Sequence, residues 1–231
     1  MSNLTEIFSV IKVDNNDFKG RFETYFNELI DYNTKVNLTA ITDKEDVYIK
    51  HFLDSCLASE FIPINAKVVD IGTGAGFPGV PLKIVRNDIK LNLVDSLNKR
   101  IVFLDYLKQK LEVDYNTYHS RAEDFCASLN NRESFDVVVS RAVAKLNTLS
   151  EYCLPLIKVG GAFIAYKGGD VEQEVQESLK AIKILGGQVE CIKNFDLPNE
   201  KGSRTLVIIK KVKSTPKQYP RGKNLPKIKP L

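Results

Sequence analysis

The spacing of apolar positions changes along the chain, and the change predicts its architecture. Phe18, Phe22, Tyr25, Phe26, Leu29 and Ile30 recur at helical intervals after the polar Asn15-Asn16-Asp17, which predicts an amphipathic helix. Asn33 to Thr39 is a polar break. Thr42-x-x-Glu45 reads as a capping box that opens a second helix carrying Val47, Phe52, Cys56 and Leu57. From Lys67 onward, short runs rich in β-branched residues alternate with helical stretches. Strands are expected at 67–71, 91–94, 115–119, 135–139, 161–166, 188–195 and 204–211. Helices are expected after Ser96 as cap (bearing Ile101, Leu104, Leu107 and Leu111) and at 122–129, 145–156 and 171–185. The last two strands have no helix between them.

Such alternation predicts an α/β fold with a mostly parallel, seven-stranded sheet, helices on both faces and an antiparallel closing hairpin. Residues 1–66 precede the first strand and are expected to form a helical N-terminal cap on a core of 67–212. Residues 213–231 carry Pro216, Pro220, Pro226 and Pro230 among lysines. An extended basic arm, mobile when free, is expected there.

The stretch that organises the chain follows the first strand: Asp70-Ile71-Gly72-Thr73-Gly74-Ala75-Gly76-Phe77-Pro78-Gly79. Glycines at alternate positions let the backbone turn at positive φ and lie against a ligand. Pro78 and Pro81 sit where a first helical turn tolerates proline. Strand, glycine loop and helix start together predict a nucleotide-binding corner. Gly74-x-Gly76-x-x-Gly79 also matches the dinucleotide fingerprint letter by letter. Asp70, just before the loop, would repel a pyrophosphate. It suits a ligand with a positive end, such as the amino-acid part of S-adenosylmethionine (SAM).

Composition narrows the class. A hydrophobic content of 43% and a charged content of 27% are those of a globular protein. No apolar run is long enough to span a membrane, and Met1 to Lys12 is not a secretory signal. Cys56, Cys126, Cys153 and Cys191 form no C-x-x-C, which predicts reduced core thiols in a cytoplasm and no metal site. The net charge of +4 is uneven. Residues 210–231 hold eight basic side chains and no acid, so the other 25 basic and 29 acidic residues leave the body at −4. A basic tail on an acidic body predicts a polyanionic partner.

Candidate chemistry lies at the strand ends. Asp95 ends the second strand, where an acid binds ribose hydroxyls in NAD and SAM enzymes alike. After the third strand, the Ala122 amide and the Glu123 carboxylate are placed for adenine, with Asp124 as the rival acid. After the fourth come Ser140-Arg141-Ala142-Val143; Arg141 is a donor fork able to hold a carboxylate or phosphate. Lys167, before Gly168-Gly169, is a second cation on that rim. The region lacks both an Asn-Pro-Pro-aromatic motif for amino methylation and a cysteine nucleophile for cytosine C5. His51, with Lys50 and Asp54 nearby, is either structural or faces the site's mouth.

Several stretches, in unbroken order from about residue 25 onward, resemble the RsmG (GidB) family. They are Asn37-Leu38-Thr39, His51-Phe52-Leu53-Asp54-Ser55, Gly72 through Gly79, Asp95-Ser96-Leu97-x-Lys99-Arg100, Ser140-Arg141-Ala142 and Tyr219-Pro220-Arg221. The usual Pro-Arg-Lys order of the tail becomes Pro220-Arg221-Gly222-Lys223 here. The resemblance implies a class I, Rossmann-like, SAM-dependent methyltransferase acting on N7 of one guanine in 16S rRNA, with 16S rRNA or the 30S subunit as partner. It implies SAM contacts at Gly72, Phe77, Ala122, Glu123 and Arg141, with the donor's ribose near Asp95; Gly74 and Gly76 belong to the same loop. Guanine N7 has an in-plane lone pair and no proton, so no general base is required; Arg141 and Lys167 are candidates beside the transfer site. A cytoplasmic monomer without a membrane or metal is the expectation. The alternatives are a nicotinamide oxidoreductase and a non-catalytic SAM-binding RNA-binding protein.

Overall fold

A computed structural model describes residues 18–141 and 143–231. The stretches 1–12 and Asn15 to Asp17, and with them the judgement on a secretory signal, lie outside the described residues. A single sheet runs in the order β3-β2-β1-β4-β5-β7-β6. Its strands are β1 (Lys67–Ile71), β2 (Lys90–Asp95), β3 (Tyr115–His119), β4 (Phe135–Arg141), β5 (Ile157–Gly168), β6 (Gly187–Asp196) and β7 (Ser203–Lys211). β1 is central because its side chains are apolar on both faces: Val68 and Val69 are both fully buried, on opposite sides. The first five strands are parallel, and β7 runs antiparallel to both β5 and β6. Ile71 pairs with Val94, and Asp95 with His119, so the carboxyl ends of β1, β2 and β3 open onto one edge.

The helices are α1 (Phe18–Asn33), α2 (residues 44–56), α3 (Gly79–Val85), α4 (Asn98–Leu111), α5 (Ala122–Ala127), α6 (Leu146–Cys153), α7 (Glu172–Ile184) and the single turn α8 (Leu225–Ile228). One face of the sheet is covered by α1 to α4, the other by α5 to α7. α1 buries the expected face, Phe18, Phe22, Tyr25 and Leu29. Phe22 stacks on Phe52 of α2 at 4.9 Å, so the N-terminal helices share one core with the sheet.

Four local expectations are corrected. The N-cap of α2 is Asp43, whose side chain accepts the Asp46 N–H at 2.9 Å, one residue beyond Thr42. The middle of α2, Val47–Leu53, is π-helical, a wide turn that buries Val47, Tyr48, Ile49, Phe52 and Leu53 together. Ser96 does not cap α4; Leu97 precedes it, and its N–H is taken by Asp95 Oδ1 at 2.9 Å.

The fourth correction concerns the tail, which is docked rather than extended and free. Arg132 donates to the carbonyls of Thr215 and Tyr219, both at 2.7 Å. Tyr219 is buried in the second core. Lys211 is fully buried, donating to the Leu154 carbonyl at 2.6 Å and pairing with Glu133 at 3.3 Å. Buried positions that satisfy these groups outweigh the entropy of a free arm.

Candidate active site

A cavity of about 1030 Å³ opens at the carboxyl edge of the sheet. The glycine loop forms its floor. Gly72, Gly74 and Gly76 adopt φ of 72°, 61° and 105°, in the left-handed region that side chains disfavour. Gly72 and Gly74 line the cavity; an added Cβ on Gly74 would meet no atom within 4 Å. Gly76 turns away. Its added Cβ would lie 2.6 Å from Tyr25 Oη and 2.8 Å from Val80 Cγ2, so the glycine is there for core packing and not for ligand contact.

Asp70 also differs from expectation. It is fully buried behind the loop, where Oδ2 accepts from Thr73 Oγ1 at 2.7 Å and Gly79 N at 2.9 Å, and it does not line the cavity. Its work is to clamp both ends of the loop. Oδ1 has no partner, and burial pushes the carboxyl up to about 7.

Asp95 lines the cavity at 2% exposure. Oδ2 accepts the Gly74 N–H at 2.9 Å, and Arg100 lies 3.2 Å away. Ala122 and Glu123 lie on the same wall, whereas Asp124 is exposed and off it.

Phe77, Arg141 and Lys167 line the remaining wall together with three residues of α2: Lys50, His51 and Asp54. The Phe77 ring is stacked between Tyr25 at 5.4 Å and His51 at 4.5 Å, with the Arg141 guanidinium 5.0 Å from its centre. Arg141 has an acceptor the sequence did not disclose, since Asp54 Oδ2 lies 2.7 Å from Nη1. Arg204 of β7 reaches the same oxygen at 3.4 Å. Lys167 donates to Glu174 Oε1 at 2.7 Å and to the Ala144 carbonyl at 3.0 Å.

His51 sits among these groups. An arginine can only donate, so the Arg141 Nη2 contact at 3.4 Å makes Nδ1 the acceptor. The proton then lies on Nε2 and goes to Thr39 Oγ1 at 2.8 Å. Burial first, and the Arg141 charge second, push the imidazole down to about 3. Tyr25 holds the loop from the core side by donating to the Ala75 carbonyl at 2.6 Å. Aromatic periodicity marked Tyr25 as core but not this bond. Among the described residues no group of His, Cys, Asp and Glu is arranged to hold a metal, and no helix is long and apolar enough to cross a membrane.

Solved structures share the fold. A SAM-dependent O-methyltransferase from Thermotoga maritima superposes with a TM-score of 0.54 at 15% identity, over 81% of this chain and 72% of that one. TYW2 of M. jannaschii, solved with AdoMet, gives 0.54 at 12% identity over 68% and 72%. The fold is that of the class I SAM-dependent methyltransferases. Residues 19–206 match the family model described as GidB, rRNA small subunit methyltransferase G, and the chain belongs to that family. It is 50% identical to ribosomal RNA small subunit methyltransferase G of Oceanobacillus iheyensis, over 91% of this chain and 90% of the relative. It is 45% identical, with the same coverage, to the protein of that name from Bacillus subtilis. These findings give no support to a nicotinamide oxidoreductase.

The cavity's residues fit SAM. Gly74 leaves room for a ligand against the backbone, and Nε of Arg100 is buried without a partner beside Asp95.

Proposed function

We propose that this protein methylates N7 of one guanine in 16S rRNA, presented by the small ribosomal subunit in the cytoplasm. When bound, SAM supplies an electrophilic methyl group. Gly72, Gly74 and Phe77 would hold it along the loop, Asp95 at the ribose, Ala122 and Glu123 at the adenine, and Arg141 at the far end.

The observation that carries the reading is the absence of a competent base beside Arg141 among the described residues. Asp54 is clamped by two arginines. His51 is pushed down to about 3, which makes it a poor proton acceptor. Lys167 is tied to Glu174. An exocyclic amine or a ring carbon would need a proton removed, whereas N7 brings a free lone pair. Catalysis then rests on alignment of nucleophile and methyl group, to which a rigid wall contributes. The stack of Tyr25, Phe77 and His51 supplies rigidity, and an uncharged imidazole does not repel a base that becomes cationic. Side chains cannot easily reach N7 in the deep groove of A-form RNA, so the target guanine lies in a loop or distorted helix.

Calorimetric titration with S-adenosylhomocysteine and NADH, followed by turnover with tritiated SAM on 30S subunits, tests this reading. Binding of S-adenosylhomocysteine alone and label in 16S rRNA are expected. Binding without turnover would leave a SAM-binding RNA-binding protein.

A further inference from the structure

Seven cations line the cavity, and their pairing divides them. Lys50 pairs with Asp46 at 2.9 Å, and Arg100 with Asp95 at 3.2 Å. Arg141 and Arg204 share Asp54, and Lys167 holds Glu174. Arg121 and Lys227 are exposed and have no acidic partner among the described residues. Arg121 directly precedes α5 and Lys227 lies in α8, and α5, α6 and α8 pack in series along one side of the cavity.

Lys227 owes its place to a buried acid that the methyl transfer does not use. Glu151 of α6 is 1% exposed. Arg221 meets it with two side-chain bonds, Nε to Oε1 at 2.8 Å and Nη2 to Oε2 at 2.6 Å, and its own backbone N–H adds a third at 2.8 Å. Arg221 Nη2 also donates to the Lys229 carbonyl at 3.0 Å, and Thr148 Oγ1 donates to the Pro226 carbonyl at 3.1 Å. The turn that bears Lys227 is therefore pinned on both sides.

We propose that residues 213–231 form a docked strap, latched by Glu151 and Arg221, that holds Lys227 on the wall of the cavity that Arg121 also lines, the two forming the lip that contacts the phosphates of the substrate RNA. This rests on the rRNA reading above. The paired cations are held by carboxylates, with Arg141 and Arg204 sharing one and keeping a net positive charge, so the exposed and unpaired charge at the cavity's edge is that of Arg121 and Lys227. Arg221 is a positioning residue that acts through Lys227. Lys213 and Lys217, exposed on the same tail but not on the cavity wall, contribute charge without position.

The test measures KM, kcat and the salt dependence of 30S binding for wild type, Arg121→Gln, Lys227→Gln, Arg221→Gln and the double variant Arg221→Gln/Lys227→Gln. Lys213→Gln/Lys217→Gln is the control. Arg121→Gln and Lys227→Gln should each make the slope of log K against log salt shallower by about one, and raise KM for RNA with kcat and S-adenosylhomocysteine affinity unchanged. Arg221→Gln should do the same, and add nothing on the Lys227→Gln background. A purely structural role would add its loss in both backgrounds and overturn the latch. Slopes and KM equal to wild type in Arg121→Gln and Lys227→Gln, or a control that loses as much as they do, would overturn the lip and leave the function standing. A wild type that binds S-adenosylhomocysteine but neither binds nor methylates the subunit would overturn both.

Discussion

Arg141, at the end of β4, meets Asp54 of α2 at 2.7 Å with both side chains largely buried. The pair fastens the N-terminal helices to the catalytic edge of the sheet. Breaking a buried pair leaves a charge without its partner. Arg141→Ala should lower stability by about 3 kcal/mol, with Arg204 only partly compensating, and should abolish methyl transfer. Urea unfolding followed by circular dichroism checks this; an unchanged midpoint would mean the contact is not formed in solution.

Asp95 holds the loop through Gly74 N–H and Leu97 N–H while lining the cavity. Asp95→Ala should remove charge-assisted bonds, each worth about 1.5–3 kcal/mol, and weaken S-adenosylhomocysteine binding roughly ten- to a hundredfold. An unchanged dissociation constant by calorimetry would reassign Asp95 to the loop turn alone.

Gly74→Val would place a branched side chain at φ of 61°, facing the cavity's open space. Backbone strain there costs on the order of 1–3 kcal/mol. Ligand affinity should collapse while the fold survives. If thermal shift shows the variant stabilised by S-adenosylhomocysteine as strongly as wild type, the ligand does not lie on this loop.

Asp70 and His51 make opposite contributions to stability against pH. Asp70 is raised from 3.8 to about 7, so between these values the folded state binds more protons than the unfolded one, and stability falls as pH rises. His51 is lowered from 6.5 to about 3, so in that window the unfolded state binds more protons, and stability falls as pH drops. From pH 4 to 6.5 the two contributions largely cancel, so Asp70→Asn should tilt the stability curve towards rising with pH and His51→Gln should tilt it towards falling, relative to wild type. Parallel curves for both variants and wild type across that range would remove the two groups from the titration.

The central strands were legible because parallel strands buried on both faces read as β-branched runs, and 67–71 needs no adjustment; 115–119, an edge strand in which only Tyr115 is buried, keeps its bounds as well, read from its place in the alternation. Asp95 and Arg141 were legible as strand-end residues. Their partners were not. Asp54 is 87 positions from Arg141, and periodicity says nothing about such pairing. The tail misled for the same reason. Its lysines and prolines read as a free arm, but Glu133 and Glu151, on distant segments, draw Lys211 and Arg221 inward. The π-helical turn of α2 carries no sequence signal, since its apolar positions also suit an ordinary helix. From the sequence Asp70 reads as facing the ligand, because position along a strand does not reveal which side of a loop a carboxylate will serve.

The most direct measurement supplies tritiated SAM and 30S subunits lacking the modification to the pure protein, then digests the 16S rRNA to nucleosides for mass analysis. N7-methylguanosine should appear at one guanine, approaching one methyl group per rRNA molecule. Label on an exocyclic amine, a ring carbon or a ribose hydroxyl, or none in the rRNA while S-adenosylhomocysteine binds, would contradict a site built to serve a nucleophile that brings its own lone pair.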